Sequence, residues 1–290
     1  MPSRSEIVTP SLLRDWPLPG SGSGKRSRGN VLVVGGAAGT PGAALLAGVA
    51  ALRVGAGRLQ LAVAASVAGV VAVAAPEAGV TAMQQDDAGT VLGAGAERLR
   101  SPAGSTDVLL VGPGLDDADE AATLLAALVP MLAETTPVLL DAYTLGVLPG
   151  LTEVTDALGG RLVLTPNASE AARLLDVDEV EDFDKAVPEI ADRFGAVVSC
   201  QDVIAAPGGR FWRTSSGYGG LGTSGSGDVL AGAIAGLVAR GADLDQAACW
   251  GTHLHAAAGD RLAARVGPLG YLARELVEVL PLVMMEYSAR

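Results

Sequence analysis

The chain alternates short, continuously apolar runs with longer Ala- and Leu-rich segments of helical character. A strand that is apolar on both faces belongs in a parallel sheet covered by helices on both sides. Repeated strand–helix order connects such strands through right-handed crossovers. The sequence therefore predicts an α/β fold, a three-layer α/β/α sandwich built on a mostly parallel sheet.

The boundaries follow from the apolar runs and from the turn residues between them. The predicted strands cover residues 30–35, 58–64, 107–112, 137–142, 161–165, 196–200 and 202–206. The predicted helices cover residues 42–54, 66–74, 118–133, 169–175, 183–194, 228–240, 245–264 and 271–280. A short strand at 211–213 is expected to pair with 202–206 through the turn Pro207-Gly208-Gly209.

The first 29 residues differ from the rest of the chain. They are polar, with Pro17, Pro19 and a Gly-Ser run at 20–24. This composition is typical of an exposed or flexible segment. We therefore predict a polar N-terminal arm at 1–29 and a single domain at 30–290.

Charge and hydropathy exclude several classes of protein. The net charge is −12, from 20 Lys and Arg against 32 Asp and Glu, which argues against nucleic-acid or anionic-membrane binding through bulk charge. No apolar run reaches the roughly 20 residues that a membrane-spanning helix needs, and the N-terminus has no secretory signal. The two cysteines have no metal-ligand spacing. A reduced, cytoplasmic protein is the simplest prediction.

A run of small residues at 220–228 stands directly before the apolar segment 229–234. Glycines let successive backbone N–H groups turn toward one point, and the positive end of the following helix adds to the same point. Asp228 would lie at the mouth of this anion site, where a carboxylate can take a proton from a substrate hydroxyl. The segment predicts phosphoryl chemistry on a small molecule. The simpler alternative is a glycine-rich turn with Asp228 as a helix cap.

Further small or polar loops follow the predicted strands. In an open α/β sheet, ligands bind at the carboxyl ends of the strands. Four loops are expected at that edge beside 220–228, and they cover 35–43, 112–115, 141–142 and 165–170.

These motifs occur in a recognisable order: Gly35-Gly36, Pro41 to Ala44, Arg53 to Gly57, Gly112 to Leu115, Val138 to Ala142, Leu164 to Pro166, Glu170 and Gly225 to Gly232. In this order the chain resembles the ADP/ATP-dependent NAD(P)H-hydrate dehydratases of the ribokinase-like superfamily, which are carbohydrate-kinase-like proteins. The resemblance covers about residues 30 to 285.

The resemblance implies a lyase of metabolite repair. ADP or ATP would donate a phosphoryl group to the hydroxyl of hydrated NADH or NADPH, and phosphate would then leave as the ring double bond forms. Mg²⁺ would bridge the phosphates. The family also implies a homo-oligomer, possibly a tetramer, and a separate epimerase as a possible partner.

The resemblance also implies roles for individual residues. Asp228 would be the base, and the amides of Gly225, Ser226 and Gly227 would hold the transferring phosphoryl group. The substrate-binding residues would be Ala43, Gly114, Asn167 and Asp228. The nucleotide-binding residues would be Cys200, Gln201, Asp202, Val203, Ile204 and Gly227. Glu170 would act on Mg²⁺ through a water.

The chain departs from the family pattern in two places. Asn167 stands where the family has a histidine. An asparagine side chain keeps the ability to form hydrogen bonds but does not titrate as an imidazole does. The segment after strand 196–200 lacks the family's lysine, and Asp202 would repel a phosphate if it faced inward. The glycine-rich stretch 216–219 also lacks an expected asparagine.

Several alternatives remain open from the sequence. A ribokinase-like kinase for a small alcohol, or a nucleotide-binding homologue with weakened catalysis, fits the same motifs. Asp141 is interpreted as a helix cap in preference to a cleft residue, and Glu170 as a first-turn carboxylate that suits the helix dipole. His255 is interpreted as packed or hydrogen-bonded inside a helix, and Cys200 as a small core residue.

Overall fold

One sheet organises the molecule in the computed structural model, which describes residues 5–20, 24–217 and 220–288. Its ten strands are β1 (Glu6–Val8), β2 (Asn30–Val34), β3 (Arg58–Ala64), β4 (Ala78–Met83), β5 (Val108–Val111), β6 (Val138–Leu140), β7 (Leu162–Leu164), β8 (Ala196–Cys200), β9 (Val203–Ala206) and β10 (Arg210–Thr214).

Helices cover both faces of this sheet. They are α1 (Pro10–Asp15), α2 (Pro41–Arg53), α3 (Ala65–Ala74), α4 (Arg100–Ala103), α5 (Ala118–Leu128), α6 (Tyr143–Val147), α7 (Thr152–Leu158), α8 (Ala168–Leu175), α9 (Phe183–Phe194), α10 (Ser226–Ala239), α11 (Leu244–Val266) and α12 (Ala273–Ser288).

The strands lie in the order β1-β10-β9-β8-β7-β6-β5-β2-β3-β4. Neighbours from β8 through β5 and β2 to β4 run parallel, while β9 is antiparallel to both β8 and β10. The expected hairpin through Pro207-Gly208-Gly209 is confirmed, with Arg210 opposite Ala206. The predicted three-layer, mostly parallel α/β/α fold is confirmed.

Two apolar cores lie on opposite faces of the sheet, because alternate residues of each strand point to opposite sides. One core joins the sheet to α2, α10, α11 and α12 and contains Val33 and Ile234. The other joins it to α5, α8 and α9 and contains Leu32 and Ile190. The strands are therefore buried on both faces, which explains their continuous apolar runs.

The N-terminal segment is built into the fold, so the exposed-arm prediction is wrong for residues 6–16. Strand β1 pairs with β10 in parallel register, and Val8 and Leu13 are fully buried. The carbonyl of Trp16 accepts hydrogen bonds from Trp250 Nε1 and Gln246 Nε2. The segment was misjudged because three strand residues and one helical turn give too short a periodic signal.

Strand β4 was also absent from the prediction. It lies at the edge of the sheet beside β3, and most of its residues are only partly buried. Its sequence, Ala78 to Met83, contains glycine and threonine and lacks the continuous apolar run used to locate the other strands.

Within the described residues, no helix is both long and apolar enough to span a membrane.

Candidate functional site

The start of α10 lies at the carboxyl edge of the sheet, as the glycine-rich run predicted. Gly225 adopts φ 87°, a left-handed conformation that favours glycine, and the helix begins at Ser226 without a side-chain cap. The first-turn amides of Gly227 and Asp228 have no intrahelical acceptor. A methyl group added at Gly227 would meet no atom within 4 Å, so the backbone there faces open space. The helix start can therefore receive an anion.

A cavity of about 430 Å³ opens in front of this helix start, and we call it the α10 cavity. It is bounded by the carboxyl ends of β7, β8 and β10 and by the first turn of α10. Its described lining residues are Thr165, Pro166, Asn167, Ser199, Gln201, Asp202, Thr214, Ser216, Gly217, Leu221, Gly222, Ser226, Gly227, Leu230, Thr252, His255 and Ala256. The other half of the 216–219 stretch, residues 218 and 219, lies outside the described residues.

Two buried hydrogen bonds fix the floor of the α10 cavity. Ser226 Oγ lies 2.9 Å from His255 Nε2, and Ser199 Oγ lies 2.7 Å from Thr252 Oγ1. Burial lowers the pKa of His255 to about 4, so its imidazole is neutral at pH 7. The interpretation of His255 as a hydrogen-bonded helix residue is confirmed. The first bond links α11 to the start of α10 and helps to hold that helix start in place, and the second links α11 to β8.

Asp228 is partly buried beside the first turn of α10. Burial raises its pKa to about 6, because taking a carboxylate out of water disfavours the charged form. At pH 7 the group is mainly ionised yet more basic than an exposed aspartate. That combination suits a general base for a hydroxyl.

Asp141 is a second carboxyl group at the same edge, and its side chain does not act as the expected helix cap. Helix α6 begins after Ala142, whose φ of 52° is strained for a residue with a Cβ, and no side chain caps it. Instead Thr165 Oγ1 donates to Asp141 Oδ1 at 2.8 Å. The carboxyl group of Asp141 is thus held against the end of β7.

The pKa of Asp141 is raised to about 7, first by burial and then by the negative charge of Asp228. Because Asp228 has the lower pKa, it ionises first and keeps a proton on its neighbour. Near pH 6.5 the pair therefore holds one ionised and one protonated carboxyl group.

Asn167 and Glu170 form a reciprocal cap at the start of α8. The amide of Glu170 donates to Asn167 Oδ1 at 3.0 Å, and the amide of Asn167 donates to Glu170 Oε2 at 2.8 Å. Glu170 lies in the first turn of α8, as predicted. Burial raises its pKa, and its carboxylate remains near Asp141.

Ala43 and Gly114 lie together where the loops after β2 and β5 meet. A methyl group on Gly114 would approach Ala43 Cβ and Gly36 Cα within 3.0 and 3.2 Å. Thr40 Oγ1 and the Ala37 amide both donate to the Gly114 carbonyl at 2.8 Å. Small residues are required here for the two loops to touch.

Of the six residues predicted for the nucleotide, Gly227 lines the α10 cavity, and the five at 200–204 divide into two groups. Gln201 and Asp202 form the turn between β8 and β9 and line the α10 cavity. Cys200, Val203 and Ile204 are buried in the cores, so their side chains offer no contact to a ligand in that cavity. Burial raises the pKa of Cys200 to about 12, which makes it an inert thiol.

Asp202 does not face the cavity as an unpaired charge. Arg213 on β10 binds it through Nε at 3.0 Å and Nη2 at 2.5 Å, and Arg213 also contacts Asp184 at 3.1 Å. The repulsion expected from Asp202 is therefore offset by its partner.

The described residues provide no protein cage for a metal. Among them, no group of three or more His, Cys, Asp or Glu side chains is arranged to hold an ion. Mg²⁺ needs only one or two carboxylates when phosphates and water complete its coordination. Asp228 and Glu170 are partly buried carboxylates at the correct edge and fit that limited role.

Comparison with known proteins agrees with this geometry. A carbohydrate-kinase family model described as NAD(P)H-hydrate dehydratase matches residues 31–282. The chain belongs to this family. The ADP-dependent (S)-NAD(P)H-hydrate dehydratase of Xanthomonas campestris is 40% identical over 284 residues, which cover 96% of this chain and 96% of that protein.

A bifunctional NAD(P)H-hydrate repair enzyme from Moorella thermoacetica is 36% identical over 262 residues. The match covers 88% of this chain and 49% of that protein, so the chain spans about half the length of this bifunctional relative.

Solved structures with the same fold superpose over nearly the whole chain. The ADP/ATP-dependent NAD(P)H-hydrate dehydratase of Bacillus subtilis, co-crystallized with ATP and Mg²⁺, gives a TM-score of 0.79 at 26% identity, covering 98% of this chain and 99% of that one. A ribokinase-like superfamily protein from Enterococcus faecalis gives 0.79 at 21% identity, covering 98% and 96%. The predicted ribokinase-like fold is confirmed.

Sequence reasoning underestimated Asp141. An aspartate that directly follows a fully buried strand stands at the ligand-binding edge, and this placement was available from the sequence. The contact with Thr165, however, joins residues from two different strand ends and could not be found from spacing alone.

Proposed function

We propose that this protein dehydrates hydrated NADH or NADPH at the expense of ADP or ATP, and so acts as a lyase of metabolite repair. The observation that supports this most is a partly buried Asp228, with its pKa raised to about 6, directly behind an open helix start at Gly227. Phosphoryl transfer to a hydroxyl needs a base next to a site that binds the negatively charged phosphoryl oxygens. The family relationship supplies the substrate class.

In this mechanism Asp228 accepts the proton of the substrate hydroxyl as that oxygen attacks the terminal phosphoryl group of the nucleotide. The amides of Gly225 and Gly227 are assigned to the transferring group, where they would stabilise the charge that develops on it. The Ser226 amide, also expected there from the sequence, donates instead to the Thr223 carbonyl at 3.1 Å. Phosphate then leaves from the ring carbon, and loss of a proton from the adjacent carbon completes the double bond. Asp141, still protonated, limits the negative charge beside the phosphates.

Binding is divided between the two sides of Asp228. Ala43, Gly114 and Asn167 are assigned to the hydrated dinucleotide. Gln201, Asp202 and Gly227 line the α10 cavity and are assigned to the adenine nucleotide. Mg²⁺ supplies charge neutralisation on the phosphates when it is bound, and Glu170 would contact it through water.

Three further proposals follow from the family and the surface. We expect a homo-oligomer, with a tetramer as the family precedent. We expect action in the cytoplasm, in keeping with the two buried free thiols Cys200 and Cys249. A separate epimerase is an expected partner, because some relatives are bifunctional repair enzymes of about twice this length.

The test is direct. Purified protein is mixed with NADPH hydrate, Mg²⁺ and either ADP or ATP, and absorbance of the reduced nicotinamide ring is followed. A nucleotide-dependent rise supports the proposal. No rise with either nucleotide, under conditions where the Bacillus subtilis enzyme is active, refutes it.

The same assay separates the alternatives. A protein that consumes nucleotide with one or more of a panel of small alcohols, and consumes none with the hydrate, would be identified as a kinase. Tight nucleotide binding without turnover on any substrate would identify a non-catalytic homologue.

A further inference from the structure

A second cavity lies beside the start of α8 at the same edge of the sheet. Its volume is about 540 Å³, and we call it the α8 cavity. Its described lining residues are Ala118, Ala142, Tyr143, Gly146, Asn167, Ser169, Glu170 and Arg173. Asn167 lines this cavity and the α10 cavity as well, so the two are adjacent.

Arg173 is distinctive in this arrangement. Among the described lining residues of both cavities, it is the only lysine or arginine. Its side chain is exposed, and it makes no hydrogen bond or ion pair with the described residues. It lies one helical turn from Glu170, where its charge offsets part of the rise in pKa that burial causes, yet it forms no ion pair with that carboxylate. The guanidinium is therefore available to a ligand.

The surroundings make a free arginine here unusual. The chain carries a net charge of −12, and the carboxylates of Asp228 and Glu170 lie at this edge of the sheet. A dinucleotide substrate would bring a pyrophosphate and, in the NADPH form, a 2′-phosphate into the same region. A planar guanidinium can bind a phosphate through two charge-assisted hydrogen bonds, and no other described lining residue brings a Lys or Arg side chain to either cavity.

Cavity geometry separates this phosphate from those of the donor nucleotide. The open amides that suit the donor lie at Gly227, in the α10 cavity. Arg173 lines only the α8 cavity, which shares Asn167 with the α10 cavity and lies on the side of the sheet that α8 covers. A ligand whose reacting ring is at Asp228 and which passes Asn167 would extend toward Arg173.

We propose that Arg173 binds a phosphate group of the dinucleotide substrate in the α8 cavity. This inference rests on the proposed function for the identity of the substrate. Arg173 then contributes to substrate affinity and takes no part in the chemistry at Asp228.

The experiment measures binding without turnover. NADPH, NADH and reduced nicotinamide mononucleotide are titrated into the wild-type protein and into Arg173→Gln and Arg173→Lys, in the absence of adenine nucleotide. Arg26→Gln is the matched control, because Arg26 is an exposed arginine outside both cavities. ADP is titrated separately into each protein.

We expect Arg173→Gln to weaken NADPH binding about ten- to a hundredfold, the range for loss of a charge-assisted hydrogen-bonded pair. Arg173→Lys should weaken NADPH binding less, and Arg26→Gln should bind NADPH as the wild type does. ADP affinity should be unchanged in all variants. With hydrate as substrate, KM should rise while kcat stays within about twofold.

The three ligands identify the phosphate. If Arg173→Gln loses affinity for NADPH alone, Arg173 binds the 2′-phosphate. If it loses affinity equally for NADPH and NADH, Arg173 binds one of the phosphates that the two ligands share. A similar loss for the mononucleotide narrows this to the phosphate next to the nicotinamide ribose.

Other results overturn the inference. These are unchanged binding of all three ligands in Arg173→Gln, an equal loss in Arg26→Gln, a loss of ADP affinity, or no binding of any reduced nucleotide to the wild type. If the wild type binds NADPH through Arg173 but does not dehydrate its hydrate, the proposed function fails while this site remains.

Discussion

At the scale of single residues, the candidate site depends on two carboxyl groups with different proton affinities. Asp228 and Asp141 lie at the ends of different elements, and burial raises the pKa of each, to about 6 and about 7. The negative charge of ionised Asp228 raises the pKa of Asp141, so Asp228 ionises first. Between about pH 6 and pH 7 a base and a neutral acid are therefore both present at this edge of the sheet.

Replacing Asp228 with Asn tests the base. We expect turnover to fall by roughly 10²-fold or more, since a positioned base contributes about that much. The folded protein should become more stable at pH 7 and above. The pKa of Asp228 is raised on folding, so its ionisation destabilises the fold as pH rises through about 6, by up to about 3 kcal/mol, and Asn removes this cost.

Steady-state rates and thermal melts at pH 5 and pH 8 measure both effects. Near-normal turnover in the Asn variant would remove Asp228 from the mechanism.

The pH profile tests Asp141. In the wild type, activity should rise as Asp228 ionises with an apparent pKa near 6, and fall as Asp141 ionises near 7, because a second negative charge then faces the phosphates. Asp141→Asn resembles the protonated acid and should keep the rise while flattening the alkaline fall. Rates at saturating substrate from pH 5 to 9 show this, and an unaltered alkaline limb would contradict it.

At the scale of elements, the position of the α10 start depends on a close contact between α10 and α2. Gly232 and Gly236 face α2 so closely that a methyl group on either would overlap backbone atoms of Ala47 or Ala51. Helices α10 and α2 can pack this closely only because both positions are glycine. The anion site at Gly227 is thereby held against the sheet.

Gly232→Ala should destabilise the fold by at least about 1–3 kcal/mol, the usual range for overpacking. Gly69→Ala is the control, since Gly69 lies in α3 with no atom within 4 Å of an added methyl group. That control should be stabilised by up to about 1 kcal/mol through helix propensity. Urea unfolding compares the two, and equal stability of both variants would contradict the close-contact argument.

The elements also show what a sequence can and cannot predict. Strands β2, β3 and β8 were found because burial on both faces makes them continuously apolar. Strand β1 was missed because its three residues owe their conformation to pairing with β10, which is distant in sequence. The loop before α10 was predicted from its glycines, since backbone conformation there is decided locally.

The same distinction applies to the site. Asp228 could be predicted because its position relative to Gly225 and Gly227 is a local motif. The Asp141–Thr165 bond, the Asp202–Arg213 pair and the exposed Arg173 depend on side chains brought together by the sheet. The two pairs, and the position of Arg173 in the α8 cavity, are fixed only by tertiary structure.

At the scale of the whole molecule, α3 presents an unusual surface. The helix contains no charged residue, and Val70 and Val73 are 72% and 82% exposed. A contiguous apolar surface of this kind is typical of an interaction site. In a chain of net charge −12, an uncharged surface lets two copies meet without charge repulsion.

We therefore expect Val70→Glu combined with Val73→Glu to reduce the assembly to smaller species, as measured by light scattering coupled to gel filtration. Leu269→Glu is the control, because Leu269 is an exposed apolar residue that does not belong to α3 and should leave the mass unchanged. A wild-type protein that is already monomeric would contradict the proposed interface.

The attachment of the N-terminal segment has a practical consequence. Because β1 extends the sheet and Trp16 accepts bonds from α11, deletion of the first sixteen residues would strip the cover from Trp250 and leave β10 as a bare edge. Unpaired edges and uncovered indoles promote aggregation. An affinity tag is therefore better placed at the opposite terminus.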